Sequence, residues 1–190
     1  MLEKDYSAVF LEGKKIGHAV HGRTESAGRV TTQEDMELTI KSGPLTLKIR
    51  EDESSVETAD GKPLSFRSVQ DMGMSKTIVE GTVADGNVTA VVTSSGRTKT
   101  EKFPWPQGAV MSEGARLEQL RQGMKEGTRY TVKAFSANML KAIDTEMTVG
   151  GMKDVDLLGR TLRLTEVRSV TKGFTGKCPP PLTWTPTATR

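Results

Sequence analysis

Between residues 30 and 41 the chain alternates with period two. Met36, Leu38 and Ile40 share one face of an extended segment, and Glu37, Thr39 and Lys41 share the other. Leu45, Leu47 and Ile49 repeat the pattern against Thr46, Lys48 and Arg50. A helix cannot gather residues at this spacing onto one side, so these stretches commit the chain to strands with one wet face. Turn phrases punctuate them: Ser26-Ala27-Gly28-Arg29, Ser42-Gly43-Pro44, Asp60-Gly61-Lys62-Pro63, Asp85-Gly86-Asn87 and Ser95-Gly96. Strands are expected at 6–11, 16–21, 30–41, 45–49, 64–67, 77–83, 88–93 and 98–103. They resume at 128–135, 143–149, 155–157 and 161–170, with Gly150-Gly151 as a turn. Regular reversals of this kind predict an antiparallel meander.

One stretch interrupts the alternation. Phe103-Pro104-Trp105-Pro106 forms a rigid crossing, and residues 112–122 read as a helix. Ser112 is placed to cap its N-terminus, Glu113 suits the first turn, and Gly123 suits the C-terminal cap. Leu117 and Leu120 lie three apart on one face. About 15 Å of helix is unstable alone in water, so it must dock, and the apolar face of the sheet is the expected partner. The predicted fold is mainly β: a twisted antiparallel meander forming an incomplete β-barrel around one short helix. Residues 1–171 are expected to be a single β-rich domain. Residues 172–190 read as a Pro/Thr-rich extended tail, in which 182–184 could add an edge strand.

Composition removes several function classes. Of the 190 residues 35% are hydrophobic and 27% charged, with a mean hydropathy of −0.43. That balance fits a sheet wet on one face, and the periodicity argues against disorder. The net charge is +3, and the basic residues are interleaved with acidic ones, as in Lys48-Ile49-Arg50-Glu51-Asp52-Glu53. Nucleic-acid binding wants a clustered basic face with stacking aromatics, and aromatics make up only 5%. No segment reaches the ~20 apolar residues of a membrane-spanning helix, and the first five residues lack the apolar core of a signal peptide.

No constellation of catalytic residues emerges. His18 and His21, the only histidines, fall on opposite faces of a strand and cannot readily share a metal. Cys178 is the single cysteine, so no disulfide and no multi-thiolate site can form within the chain, and the prolines at 179–181 oppose an activated nucleophile there. Asp60-Gly61 and Asp85-Gly86 lack the ligand spacing of a calcium loop. Gly13-Lys14-Lys15-Ile16-Gly17 lacks P-loop spacing and a following helix. Trp105 is better suited to plugging the end of the sheet than to lining a groove. No metal and no cofactor are expected.

The phrases Gly13-Lys14-Lys15-Ile16-Gly17-His18, Asp60-Gly61-Lys62-Pro63-Leu64, Glu80-Gly81 and Lys125-Glu126-Gly127-Thr128 resemble a β-rich region of exported bacterial proteins. That region often precedes a transglutaminase-like catalytic domain. Residues 6–170 are also similar to the DUF3108-type and LolA/LolB-like group, whose fold is an incomplete β-barrel wrapped round a helix. The resemblance implies a non-catalytic binding or accessory module of the bacterial envelope, periplasmic in location, with no catalytic residue carried over. The alternatives are a carrier or sensor for a lipid or other apolar ligand within the half-barrel, and an unrecognised hydrolase. Ligand-lining candidates are Leu38, Ile40, Leu47, Ile49, Trp105, Leu117, Leu120, Tyr130 and Met147. The expected partner is an apolar ligand or a protein; oligomeric state is not legible.

Overall fold

The computed structural model describes residues 2–11, 14–42, 45–157, 160–171 and 182–186. Eight strands run in chain order as one open antiparallel sheet: β1 (Leu2–Leu11), β2 (Lys14–Ser26), β3 (Arg29–Ser42), β4 (Leu45–Thr58), β5 (Pro63–Asp71), β6 (Lys76–Ala84), β7 (Asn87–Ser94) and β8 (Arg97–Pro104). The crossing and α1 (Ser112–Gln122) follow. A second antiparallel sheet then forms from β9 (Arg129–Ser136), β10 (Lys141–Leu157), β11 (Arg160–Thr171) and β12 (Leu182–Pro186), each paired to the next. The hairpins at Ala27-Gly28, Asp85-Gly86 and Ser95-Gly96 use two consecutive left-handed residues, the geometry that matches strand twist.

The strands are longer than their apolar patterns. The expected strand 45–49 continues to Thr58 as β4, running through Glu51-Asp52-Glu53-Ser54. Backbone ladder bonds carry the strand across side chains that would read as a loop. Likewise 143–149 and 155–157 merge into β10, and Gly150-Gly151 is not a turn but falls at a register slip between Val149 and Met152. The edge strand expected at 182–184 is present as Leu182–Pro186, which pairs with β11. Cys178 and the prolines at 179–181 lie outside the described residues, as do Gly13 and the Gly43-Pro44 turn.

The apolar core lies where β5–β8 face the crossing and the β9–β10 turn. Phe66, Val79, Val88 and Ala90 pack with Met111 and Ala137. Phe135 joins the sheets: its ring centroid is 4.6 Å from that of Trp105, 5.1 Å from Phe66 and 6.5 Å from Phe103. Phe66 in turn covers Gly81, where a Cβ would lie 2.2 Å from Phe66 Cζ. Trp105 is thus a packing residue, and its Nε1–H donates to the Ala109 carbonyl at 3.1 Å.

The helix begins and ends as predicted, but it is held differently. Met111 occupies the N-cap and Ser112 lies one residue inside, with no side-chain cap from either. The acceptor comes instead from β4: the fully buried Glu57 carboxylate takes the Glu113 N–H at 2.6 Å and the Gly114 N–H at 2.9 Å. A negative charge here meets the positive end of the helix. Gly61 lets the β4–β5 turn close on this end, since a Cβ there would lie 2.9 Å from Gly114 Cα. Gly123 closes the C-terminus with φ 78°, donating to Gln119 O. The expected leucine face is corrected: Leu120 is 61% exposed, and the buried helix residues are Glu113 and Gly114. Leu120→Asp should therefore change stability by no more than about 0.5 kcal/mol in denaturant unfolding.

Candidate functional site

Register explains why charged residues gather inside. The β3–β4 pairing is continuous, so the face that carries Leu47 and Ile49 also carries Glu51, Glu53, Ser55 and Glu57. At one level of the sheet the pairings align Asp5, His21, Glu34, Glu53 and Ser68 on five successive strands. This row of polar side chains crosses the face that looks toward β9.

Two groups of charge result. In the first, Arg23 of β2 is 7% exposed and Glu113 only 1%. Arg23 Nε donates to Glu113 Oε2 at 2.8 Å and its Nη2 to Oε1 at 3.0 Å. Arg116 donates to the same two oxygens at 2.9 and 2.7 Å. Burial pushes the Glu113 carboxyl up, but the two guanidiniums more than reverse this and hold it at about 2. The Glu113 carboxylate is held from both sides by guanidiniums, so this cluster fastens the helix to β2.

The second group lines open space. A cavity of about 320 Å³ lies between the sheets, with Glu34, Met36, Glu51 and Glu53 on one side and Phe135, Met139 and Ile143 together with Ser136, Asn138 and Thr145 on the other. A second, of about 260 Å³, shares Glu34, Glu53, Ala134 and Phe135 and extends toward His21, Ser55 and Met111. Glu51 accepts from Asn138 Nδ2 at 2.9 Å. Glu53 has no cationic partner among the described residues. Burial first, and then the charges of Glu51 and Glu34, drive its carboxyl up to about 7, opposed only by the nearby Ser68 hydroxyl. Burial also raises Glu51, with Glu34 adding to it and Asn138 opposing.

A raised acid makes stability pH-dependent with a definite sign. The folded state binds the Glu53 proton more tightly than the unfolded state does. Its favourable contribution is complete below the ordinary carboxyl value of 4.5 and is lost as pH rises through about 7. The strongly depressed carboxyl, Glu113, acts at lower pH, between about 2 and 4.5. Stability should therefore increase as pH falls from 8 to 5, and Glu53→Gln should flatten that rise. Urea midpoints measured across this range provide the check.

None of the nine lining candidates borders either cavity. Leu38 pairs with Ile49 and Ile40 with Leu47 on the part of the β3–β4 hairpin that runs beyond the end of β5, where Leu47 is exposed. Trp105 is in the core, Leu117 rests half-buried beside Gly61, and Leu120 faces solvent. Tyr130 and Met147 are half-buried cross-strand partners in the second sheet. His18 and His21 lie on opposite faces of β2, and only His21 reaches a cavity. Among the described residues no group of three or more His, Cys, Asp or Glu is arranged to hold a metal. The residues that do line the space, Glu34, Glu51, Glu53 and Phe135, carried a signal in the sequence. Extending the period-two parity of Leu47 and Ile49 through β4 places Glu51 and Glu53 indoors.

No family model matches the chain, and no curated protein matches it. Among solved structures it is similar to the crystal structure of a β-barrel-like protein of a domain of unknown function, DUF1849, from Brucella abortus. The match has a TM-score of 0.53 and 14% identity, and covers 90% of this chain and 80% of the other. At that identity the likeness concerns the fold alone, a β-barrel-like one.

Proposed function

We propose that this chain is a non-catalytic binding module whose site is the space between the two sheets. The observation that carries the reading is the cavity of about 320 Å³ lined by Glu34, Met36, Glu51 and Glu53 from the large sheet and by a mixture of apolar and polar side chains from the other side. Its volume lies at the lower end of the range for small-molecule sites, and its polar side chains offer groups that could orient a ligand against Phe135, Met139 and Ile143. A wholly apolar occupant fits less well, because it would strip the remaining water from the half-buried Glu53 and return no hydrogen bond. The sequence resemblance to exported β-rich proteins supports an accessory role in the bacterial envelope. Cell fractionation tests that part, and recovery in the cytoplasm alone would remove it.

The binding reading is tested by a fragment screen observed through the methyl signals of Ala134, Met139 and Ile143. Fragments should shift those signals in the parent, and should leave the Met139 and Ile143 methyls unmoved in Ala134→Trp, where the indole fills the space. A parent whose cavity methyls respond to no fragment retires the reading.

A further inference from the structure

The two ends of the large sheet differ. In an antiparallel meander alternate turns fall together, so the β1–β2, β3–β4 and β5–β6 turns share one end, and the turns at 27–28, 59–62 and 85–86 share the other. At the first end Met74 is fully exposed in the β5–β6 turn, with Met72 exposed beside it. Leu45, at the β3–β4 tip, is 73% exposed, and Leu47 is exposed as well. Among the described residues no large apolar side chain is exposed in the turns of the opposite end.

The β3–β4 tip is also short of neighbours. β2 pairs with β3 no further along than Gly17 with Leu38, and β5 meets β4 only from Arg50 onward. Residues 45–49 and their partners on β3 therefore project about 17 Å past β5 as a ribbon of two strands. Leu45, Leu47 and Ile49 share one face of the ribbon with Leu38 and Ile40, and Lys41 and Lys48 stand on the other. A bare two-stranded ribbon is marginal in water, and a clustered apolar face marks a contact with something else.

Charge identifies what that contact is. Across positions 11–17 and 38–49 the sequence holds Lys14, Lys15, Lys41 and Lys48 against one acid, Glu12. The surplus of +3 equals the net charge of the whole chain. A second copy seated here would bring like charge against like. An anionic lipid surface answers both features, with ammonium groups at its phosphates and leucine and methionine side chains below them. We propose that this end of the sheet seats on an anionic membrane surface. Leu45, Leu47 and Met74 enter the acyl boundary, and Lys14, Lys15, Lys41 and Lys48 lie at the headgroups. The seat is separate from the space between the sheets and stands whether or not that space binds a ligand.

The test floats the full chain with vesicles of phosphatidylcholine alone and of equal parts phosphatidylcholine and phosphatidylglycerol. The chain should rise with the anionic vesicles only. Lys41→Gln with Lys48→Gln, and separately Leu45→Ser with Leu47→Ser, should each lower the partition constant about tenfold, and Leu120→Ser should leave it unchanged. Melting curves verify the folds. Leu45→Trp, in an otherwise intact chain, should be quenched by brominated acyl chains beyond the quenching of the parent's own tryptophans. Equal binding to neutral vesicles, or a loss confined to the lysine pair, overturns the proposal, since the leucines would then take no part. Absence of vesicle binding also overturns it, and a dimer dissolved by the leucine pair would give the face to a second copy.

Discussion

Glu113→Ala should lower stability by about 3–5 kcal/mol, which for a chain of this size is a fall in Tm of roughly 10–15 °C. The side chain is 1% exposed and holds two guanidiniums at once. Removing it leaves Arg23 buried and short of its main partner, and Arg23 cannot swing out of the sheet interior. Arg116 is 40% exposed and can turn to water, so the cost falls mostly on Arg23. The double variant Arg23→Met with Glu113→Leu should regain much of the loss, because replacing a whole buried ion pair by apolar groups is far less costly than breaking it. Thermal unfolding of the three proteins decides the matter. A Glu113→Ala protein as stable as the parent would mean that water reaches Arg23 and that the cluster fastens nothing.

The second large effect is expected at Phe135. Its ring touches Trp105, Phe66 and Phe103 and is the point where β9 meets the large sheet. Phe135→Ala should cost about 3 kcal/mol, the low end for such a truncation because the ring is only partly buried. It should also leave a spectroscopic mark. The chain has two tryptophans, so in a Trp184→Phe background Trp105 reports alone. Its emission should shift to the red as water replaces the ring 4.6 Å away. Stability and emission both unchanged would place the junction of the sheets elsewhere.

The meander was legible because its evidence is local. Alternating apolar residues and glycine turns act within a few residues, and they placed the first eight strands and both ends of α1. What was not legible depends on partners distant in sequence. Ser112 looks like a cap because capping is usually a local exchange, yet the acceptor is Glu57, from another strand. Glu113 reads as a solvated first-turn acid until Arg23 is placed against it. Leu117 and Leu120 have the spacing of a buried stripe, but Gly61 and Gly114 set the depth of approach, and they bring in the polar end of the helix. The cavity acids stood in a run, Glu51-Asp52-Glu53, that resembles surface until strand parity is carried through it.

The fastening of α1 also has a consequence in time. The hairpins of the large sheet join neighbours in sequence, so they can form early and independently. The contacts that seat the helix join residues far apart: 90 positions separate Arg23 from Glu113, and 56 separate Glu57 from Glu113. Asn138 reaches back 87 to Glu51. Such contacts return energy only after a long loop has been closed. A refolding chain therefore passes through a state in which the meander exists but Arg23 and Glu57 still face water. The last step is the arrival of the crossing and helix, which dehydrates both at once. Substitutions at Glu113 should accordingly speed unfolding and leave the early folding rate almost unchanged.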